Sequence, residues 1–373
     1  YEFTGGLDEL LGKHASKLQR LADFAMRRNR KPQIEVAREA RAYAQAAMTG
    51  KLDKTRAMPF GGLPYTTSAF LPFDVREEDW LILIAAIRSG GKSTIARQHV
   101  GHNLVAGKTF VVFLLETSRR RWLCALAGMF AGVNVRPEAL EEMRQLFPEK
   151  AKAFDEWMDW IESIMEHALW IFDDVFYLED IERQVREINR RVRERQLSAA
   201  LAAGHPPEVA DKMAYGLDGV LGDHLHLVQC RKDFRGNRER EVSHIGRTLK
   251  LLAKSLDLPN FWCAQMNRGP SAESRRPSLS DLRESGTLEQ DADAVLLLHR
   301  PLENKAGTKQ TGEQAVHEVE LIQGKRRNGP AGISTELLMH LKEGSFEEVK
   351  KATDARPGVA KPAGGYKREE AKP

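Results

Sequence analysis

The residues most able to do chemistry are AIRSGGKST, Ala86 to Thr94. They close the apolar run Trp80–Ile87 and open a stretch that reads as a helix. The pattern is G-x-x-x-x-G-K-[ST] with Ala86 at the first glycine position. Backbone N–H groups of Ser89, Gly90, Gly91 and Lys92 can form a concave nest around a phosphate. The following helix turns its positive end to the same anion. Gly91 permits close backbone approach, Lys92 can reach the β/γ-phosphates, and the Ser93 hydroxyl can ligate Mg²⁺. Ser89, Gly90, Gly91, Lys92, Ser93 and Thr94 are therefore the candidate nucleotide-binding residues. A glycine-rich turn with an incidental lysine is the competing reading. The strand before and the helix after argue against it. A phosphate loop specifies a nucleotide, not a reaction.

Hydrolysis also needs an acid for the metal shell and a base or water-positioning group. Asp223 ends the run Gly219–Asp223, and Asp173 or Asp174 follows Ala168–Phe172; spacing alone does not choose between them. Glu116 ends TFVVFLLE, where its carboxylate would face a ligand crevice at the strand's C-terminal end. Gln265 lies near the end of Phe261–Met266, at the same edge. A lone acid in such a place is more often a helix cap or a solvated loop residue. Three strand-terminal acids in one phosphate-loop chain shift the balance.

These groups need a scaffold. The chain has 373 residues, with 57 Lys plus Arg against 53 Asp plus Glu, a net charge of +4, and 42% hydrophobic residues. That apolar content excludes a long disordered chain. The longest apolar run, Trp80–Ile87, is far short of the roughly 20 residues a membrane span needs. No secretory signal is visible, and Cys124, Cys230 and Cys263 lack any zinc spacing, so they read as reduced thiols of a cytosolic protein. The chain begins with Tyr rather than Met, as a fragment of something longer would.

Short apolar runs alternate with longer amphipathic stretches: Trp80–Ile87, Thr109–Leu115, Ala168–Phe172, Gly219–Asp223, Phe261–Met266 and Ala294–Leu298. This alternation predicts an α/β fold, a mostly parallel sheet with helices on both faces. Val242, Ile245, Leu249, Leu252 and Leu256 form a helical stripe. Val316–Gln323 and Ile333–Leu341 flank GKRRNGPAG, and Asn328-Gly329 between them predicts a hairpin. Residues 1–56 read as a helical appendage and linker, with helices over 7–28 and from Pro32 to Gly50. Residues 57–346 read as the main domain and 347–373 as a flexible basic tail. The stretch Gln196–Tyr215 reads as an insertion before a strand.

From about Ala57 to Phe346 the chain resembles the RecA-like C-terminal motor domain of DnaB-type replicative helicases. The resemblance rests on ordered motifs: AIRSGGKST, FLLETS (113–118), GDHLHLV (222–228), the helix of residues 241–259, AQMNR (264–268), SLSDLRESGTLEQDADAVLLLHR (278–300) and GKRRNGPAG (324–332). It implies a RecA-like P-loop NTPase core using ATP and Mg²⁺. By position, Glu116 becomes the glutamate that polarises the attacking water and Asp223 the Walker B aspartate of the metal shell. Gln265 becomes the γ-phosphate sensor. Lys325 and Arg327 become cations reaching the neighbouring subunit's ATP site, Arg327 as a finger in trans. Together with Lys92 these are the implied catalytic residues; Ser93 and Asp223 are the implied metal ligands. A trans finger requires head-to-tail copies, which can close into a ring. A homo-hexamer is the family's usual state.

The resemblance also implies a ring helicase that translocates on single-stranded DNA, 5′→3′, and unwinds forked DNA during replication. A primase or helicase loader is the implied partner, and the cytoplasm (the nucleoid or replication fork, or a host's cytoplasm if phage-encoded) the implied location. Three segments become candidate DNA-facing loops: Arg231, Lys232, Arg235, Arg238 and Arg240 in RKDFRGNRER; Asn267 to Arg276 with Arg268, Arg275 and Arg276; and Arg283-Glu284-Ser285-Gly286. Taken alone, each basic run is a solvated surface loop. Mostly phosphate contacts are expected, with a salt slope of roughly −0.7 per contact on single strands. A RadA/RecA-like recombination ATPase and a nucleotide-gated DNA-binding or loading module are the alternative readings. The sequence departs from the family at Ala86, at Gly222, where a bulky apolar residue is usual, and at His224 and His226, where Tyr and Gln are usual. The family's N-terminal collar is longer than this appendage, as a fragment or a collarless phage- or plasmid-type helicase would show. The segment Ile34–Met48 reads as a linker helix for the next subunit.

Overall fold

A computed structural model describes residues 33–49, 59–60, 71–74, 80–267, 275–282, 286–303, 307–309, 311, 315–327 and 331–349. The chain divides into two units, Tyr1–Arg56 and Ala57–Pro373. In the first, helix α1 (Gln33–Met48) begins just after Pro32 and ends two residues before Gly50. Pro pre-sets the first turn and Gly follows the end, the usual asymmetry of helix boundaries. The helix expected over 7–28 lies outside the described residues.

The second unit opens with β1 (Pro59–Phe60) and β2 (Leu71–Asp74), an antiparallel ribbon. There follow β3 (Leu81–Ala86), α2 (Lys92–Val105), β4 (Phe110–Leu114), α3 (Arg119–Ala131), α4 (Pro137–Leu146), α5 (Pro148–Ile164), β5 (Leu169–Phe172), α6 (Leu178–Ala202) and α7 (Pro207–Met213). Then come β6 (Gly219–Asp223), α8 (Arg238–Leu256), β7 (Asn260–Gln265), α9 (Gly286–Asp291), β8 (Ala294–His299), β9 (Val316–Arg326), β10 (Ser334–His340) and β11 (Ser345–Glu348). The larger sheet has the order β11-β10-β9-β8-β3-β7-β6-β4-β5. Strands β8, β3, β7, β6, β4 and β5 are parallel, and β9 to β11 continue antiparallel.

Both faces of this sheet are covered, which is why its central strands are continuous apolar runs rather than alternating ones. Ile82 and Ile84 of β3 pack into one core with α2, α3 and α5. Leu81, Leu83 and Ala85 pack into the other with α6 and α8. The stripe expected on α8 is the one it buries, through Val242, Ile245, Leu249 and Leu252. Among the described residues no helix is long and apolar enough to cross a membrane.

Two sequence expectations need correction, and a third holds. The segment 196–215 is not a separate insertion at its start: α6 runs on to Ala202, and α7 follows after a break at Pro206. The hairpin expected from Asn328-Gly329 is present as the antiparallel pair β9–β10. The β9–β10 ladder extends only to Ile322↔Ser334, with Gln323 N–H on Ile333 O, so the loop opens after Gln323, and Asn328–Pro330 at its centre lie outside the described residues. The sheet also runs two residues past the expected domain end at 346, since β11 ends at Glu348. Phe346 of β11 is fully buried, its N–H donates to Gln98 Oε1 at 2.7 Å, and Gln98 Nε2 donates to Phe346 O at 2.8 Å. The rest of the expected tail, from Lys350 on, lies outside the described residues.

Parallel pairing has one consequence for chemistry. Adjacent strands β3, β7, β6 and β4 all deliver their C-terminal ends to one edge. The phosphate loop, Gln265, Asp223 and Glu116 are therefore brought to one rim of the sheet.

Candidate functional site

The loop from β3 to α2 is built for an anion. Gly90 N–H donates to Ile87 O at 3.0 Å, and Ser89 and Gly91 both take positive φ, 60° and 90°. Gly91 needs glycine twice over, since a Cβ there would also lie 2.8 Å from Phe346 Cζ. Gly91 caps α2 without any side-chain capping bond, and the first turn carries no acid. The leading N–H groups of α2 thus lack a side-chain acceptor, as a phosphate site requires.

Ser93 Oγ donates to Asp223 Oδ1 at 2.9 Å, across 130 residues of chain. Asp223 is 2% exposed. The competing Asp173 is engaged elsewhere: it accepts from Arg119 N–H at 2.9 Å and pairs with the Arg119 guanidinium at 2.6 Å, fastening the start of α3. Asp174 is exposed beside it. A hydroxyl and a carboxylate are hard oxygen donors, and one such pair leaves room for phosphate and water oxygens. That is how Mg²⁺ is usually held, so these residues fit the ion.

Gln265 ends β7 directly opposite Ala86, and Met266 N–H donates to Ala86 O at 3.0 Å. Glu116 lies two residues beyond Leu114, the partner of Asp223 in the ladder, and is exposed. Between them sits His224, one of the positions at which the sequence departs from the family pattern. Its backbone is left-handed (φ 88°), rare for a residue with a side chain. Burial and then Lys92 push its imidazole pKa below the usual value; Glu116, Asp223 and a hydrogen bond with Gln265 oppose them. The available signal was its position immediately after the strand-terminal acid.

Lys325 and Arg327 lie at the opposite end of the sheet. Arg326 pairs with Ala294 at the start of β8, and Arg327 N–H donates to Asp293 O at 2.8 Å. Asp293 in turn bonds Leu81, the first residue of β3. From Leu81 to the phosphate loop is about 20 Å of extended strand. Arg327 cannot reach the loop of its own chain.

The model of the DnaB-like helicase C terminal domain matches residues 208–348. Over those residues the chain is similar to that domain. The replicative DNA helicase DnaB of Geobacillus stearothermophilus is 32% identical over 271 residues, 70% of this chain and 51% of that one. The homologue from Leifsonia xyli subsp. xyli is 45% identical over 120 residues, 32% of this chain and 25% of that one. The chain thus spans about half the length, or less, of these relatives. Among solved structures, one described as an ATPase domain superposes with a TM-score of 0.58 at 25% identity, covering 74% of this chain and 86% of that one. A DnaB-like replicative helicase, described with its interactions with primase, gives 0.57 at 25% identity, covering 74% and 58%. The fold is the RecA-like α/β core expected from the sequence.

The departure from the family pattern at Gly222 has a packing explanation. Gly222 pairs with Trp262 of β7, which is fully buried, and a Cβ at 222 would fall 2.1 Å from Trp262 Cζ3. The indole occupies the volume a larger residue before Asp223 would fill. Gly222→Val should destabilise the domain by about 1–3 kcal/mol or more, because a rigid ring cannot give way. Trp262→Leu in the same chain should recover part of that loss, which paired thermal melts would read as non-additivity.

The basic loops are more internally bonded than their sequence suggests. Arg231 places two N–H groups on Asp180, the shorter at 2.6 Å, and lies over the Tyr177 ring at 5.0 Å. Arg238 donates to Glu241 Oε2 and His226 O, both at 2.6 Å, and so braces the loop. Lys232 and Arg235 are exposed on the same loop, and Arg240 is exposed in the first turn of α8. Arg268, Arg283, Glu284 and Ser285 lie outside the described residues, and Gly286 begins α9. Arg276 pairs with Glu320. Arg275 binds both oxygens of Asp281, at 2.6 and 2.8 Å, closing the base of the segment that follows Gln265.

That last pair carries a pH dependence. Hydrogen bonds from Arg275 first, and from Ser278, hold the Asp281 carboxyl down at about 2 against the opposing effect of burial. A pKa depressed on folding adds stability above the unfolded value near 4, and the contribution is lost as pH falls toward 2. Asp281→Asn should melt about 2–4 °C below wild type near pH 7, the shift expected for about 1 kcal/mol in a domain of this size. Melting curves across pH 7 to 2 should show the gap closing at the acid end.

Proposed function

We propose that this chain is an ATP- and Mg²⁺-dependent replicative helicase subunit. It acts as a homo-hexameric ring that translocates 5′→3′ on single-stranded DNA and unwinds forked duplex. The observation that carries the reading is the division of the machinery between two edges. Ser93 meets Asp223 at 2.9 Å on one rim, beside Gln265 and Glu116, while Arg327 stands at the far end of the same sheet. Such a chain can complete an ATP site only with a second copy, head to tail.

The residues divide the work as follows. The N–H groups of Ser89 to Lys92 cradle the phosphates, and Lys92 adds its charge at the β/γ oxygens. Thr94 lies in the first turn of α2, behind them. Ser93 and Asp223 would hold Mg²⁺, which when bound neutralises charge on the phosphate oxygens. Glu116 orients water and accepts its proton. Gln265, on the strand next to the phosphate loop, reports the γ-phosphate to the segment that leaves β7. Lys325 and Arg327 of the adjoining copy stabilise the transition-state charge. Lys232, Arg235, Arg240, Arg268 and the Arg283–Gly286 segment would grip phosphates without reading bases. Arg231 and Arg238 join them only by exchanging a carboxylate for a phosphate. A primase or loader is the partner this reading expects, at a replication fork in the cytoplasm.

The test is ATP turnover with and without single-stranded DNA, for wild type and Lys92→Ala. Stimulation by DNA in wild type alone supports the reading. Equal, unstimulated rates in both proteins would sink it.

A further inference from the structure

Asp293 sits between α9 and β8 and is 0% exposed. A buried carboxylate is costly unless every oxygen is satisfied. Here Oδ2 accepts from Leu81 N–H at 3.1 Å, and Oδ1 accepts from Lys250 Nζ at 2.7 Å. The remaining interaction of Oδ1 is with Arg327 Nη1 at 3.2 Å. Arg327 is thus held twice by one residue, through its main chain to Asp293 O and through its guanidinium to Asp293 Oδ1.

The guanidinium is not consumed by this pairing. The Arg327 side chain remains 47% exposed while its partner is fully buried. One nitrogen is anchored on Asp293, and about half of the side chain stays accessible. Lys325 is secured in the same district: its Nζ donates to Glu289 O at 2.6 Å and Gln290 O at 3.2 Å, at the end of α9. Lys250 also donates to Asp291 O at 2.7 Å, so the segment 289–293 is tied to α8.

Resting on the trans-arginine reading above, we infer that Asp293 is the positioning residue for Arg327. It fixes where the guanidinium is presented to the ATP site of the adjoining copy, and Lys250 braces Asp293 from behind. The carboxylate does not touch ATP. It acts by removing the rotamer freedom of a long side chain, so that less ordering is left for the moment of reaction. Leu81 is the first residue of the strand that ends in the phosphate loop. The same carboxylate therefore couples the finger's position to the body that carries its own chain's loop.

The experiment uses Asp293→Asn, Arg327→Ala and the double variant, with single-turnover ATP hydrolysis on single-stranded DNA and affinity for a non-hydrolysed ATP analogue as readouts. Asn keeps an acceptor for Leu81 N–H and removes the charge. The expected result is a fall in turnover of about 10–10²-fold for Asp293→Asn, the cost of a misplaced group, with analogue affinity within about twofold of wild type. In the Arg327→Ala background the same change should cost nothing more. A purely structural carboxylate would move different readouts: loss of analogue binding, or an added loss in the double variant, overturns the inference. Wild-type turnover by Asp293→Asn beside a dead Arg327→Ala overturns it alone. Wild-type turnover by Arg327→Ala overturns the trans-arginine reading and this inference with it.

Discussion

Arg327→Ala should lower DNA-stimulated ATP turnover by about 10³–10⁵-fold, the range over which trans-acting arginines work. Affinity for a non-hydrolysed ATP analogue should be nearly unchanged. The two expectations have one structural cause. Arg327 stands at the edge of the sheet opposite its own phosphate loop, where Arg327 N–H bonds Asp293 and Asp293 bonds Leu81. Removing it leaves the loop, Ser93 and Asp223 as they are. In the proposed mechanism the lost group acts on charge that develops during phosphoryl transfer, so kcat should fall rather than binding. The fold should survive, because Asp293 keeps Lys250 at 2.7 Å and the Leu81 N–H at 3.1 Å. Arg327→Lys should rescue little, since an ammonium lacks the planar fork. Kinetics at saturating ATP, with melting curves for each variant, check these statements together.

Glu116→Gln should reduce turnover by about 10²–10⁴-fold, the usual contribution of a positioned general base. The amide is close in shape to the carboxylate but accepts no proton. Glu116 lies two residues beyond Leu114, which pairs with Asp223, and it is exposed at the rim where a water would approach. Nucleotide binding depends on other residues and should persist. Lys92→Ala should behave differently, losing binding itself, because the proposed site places Lys92 on the phosphates. Equal low rates for wild type and Glu116→Gln would instead favour a nucleotide-gated binding module.

What could be read in the sequence follows from how each element is buried. Strands β3, β4, β6, β7 and β8 were legible because both of their faces are covered, which leaves uninterrupted apolar runs. Strands β1, β2 and β11 were not. They are two to four residues long, and β1 and β2 contain Pro59 and Pro72. The burial of Phe346 is decided by Gln98, far away in the chain. Helices α4 and α5 left a usable trace in Pro137 and Pro148, each the first residue of its helix. It was weaker than the glycines and lysine of the phosphate loop.

The site shows the same division. The loop is local and could be read from nine consecutive residues. The contact of Ser93 with Asp223 depends on strand order, so spacing alone left Asp173 and Asp174 in contention. The fit of Gly222 to Trp262 and the convergence of Lys250, Leu81 and Arg327 on Asp293 are non-local, and nothing in any single segment announces them. The setting of His224 is non-local as well. Its strained backbone and its place among Lys92, Glu116 and Gln265 exist only once the strands are aligned.

The most direct measurement mixes two inactive proteins. Lys92→Ala lacks a working phosphate loop but keeps Arg327; Arg327→Ala lacks the finger but keeps the loop. Where sites are shared between copies, some pairs in the mixture join an intact loop to an intact arginine. DNA-stimulated ATP turnover should then reappear on mixing and follow the proportions of the two. A mixture that stays as inactive as its components, beside an active wild type, would contradict the shared site.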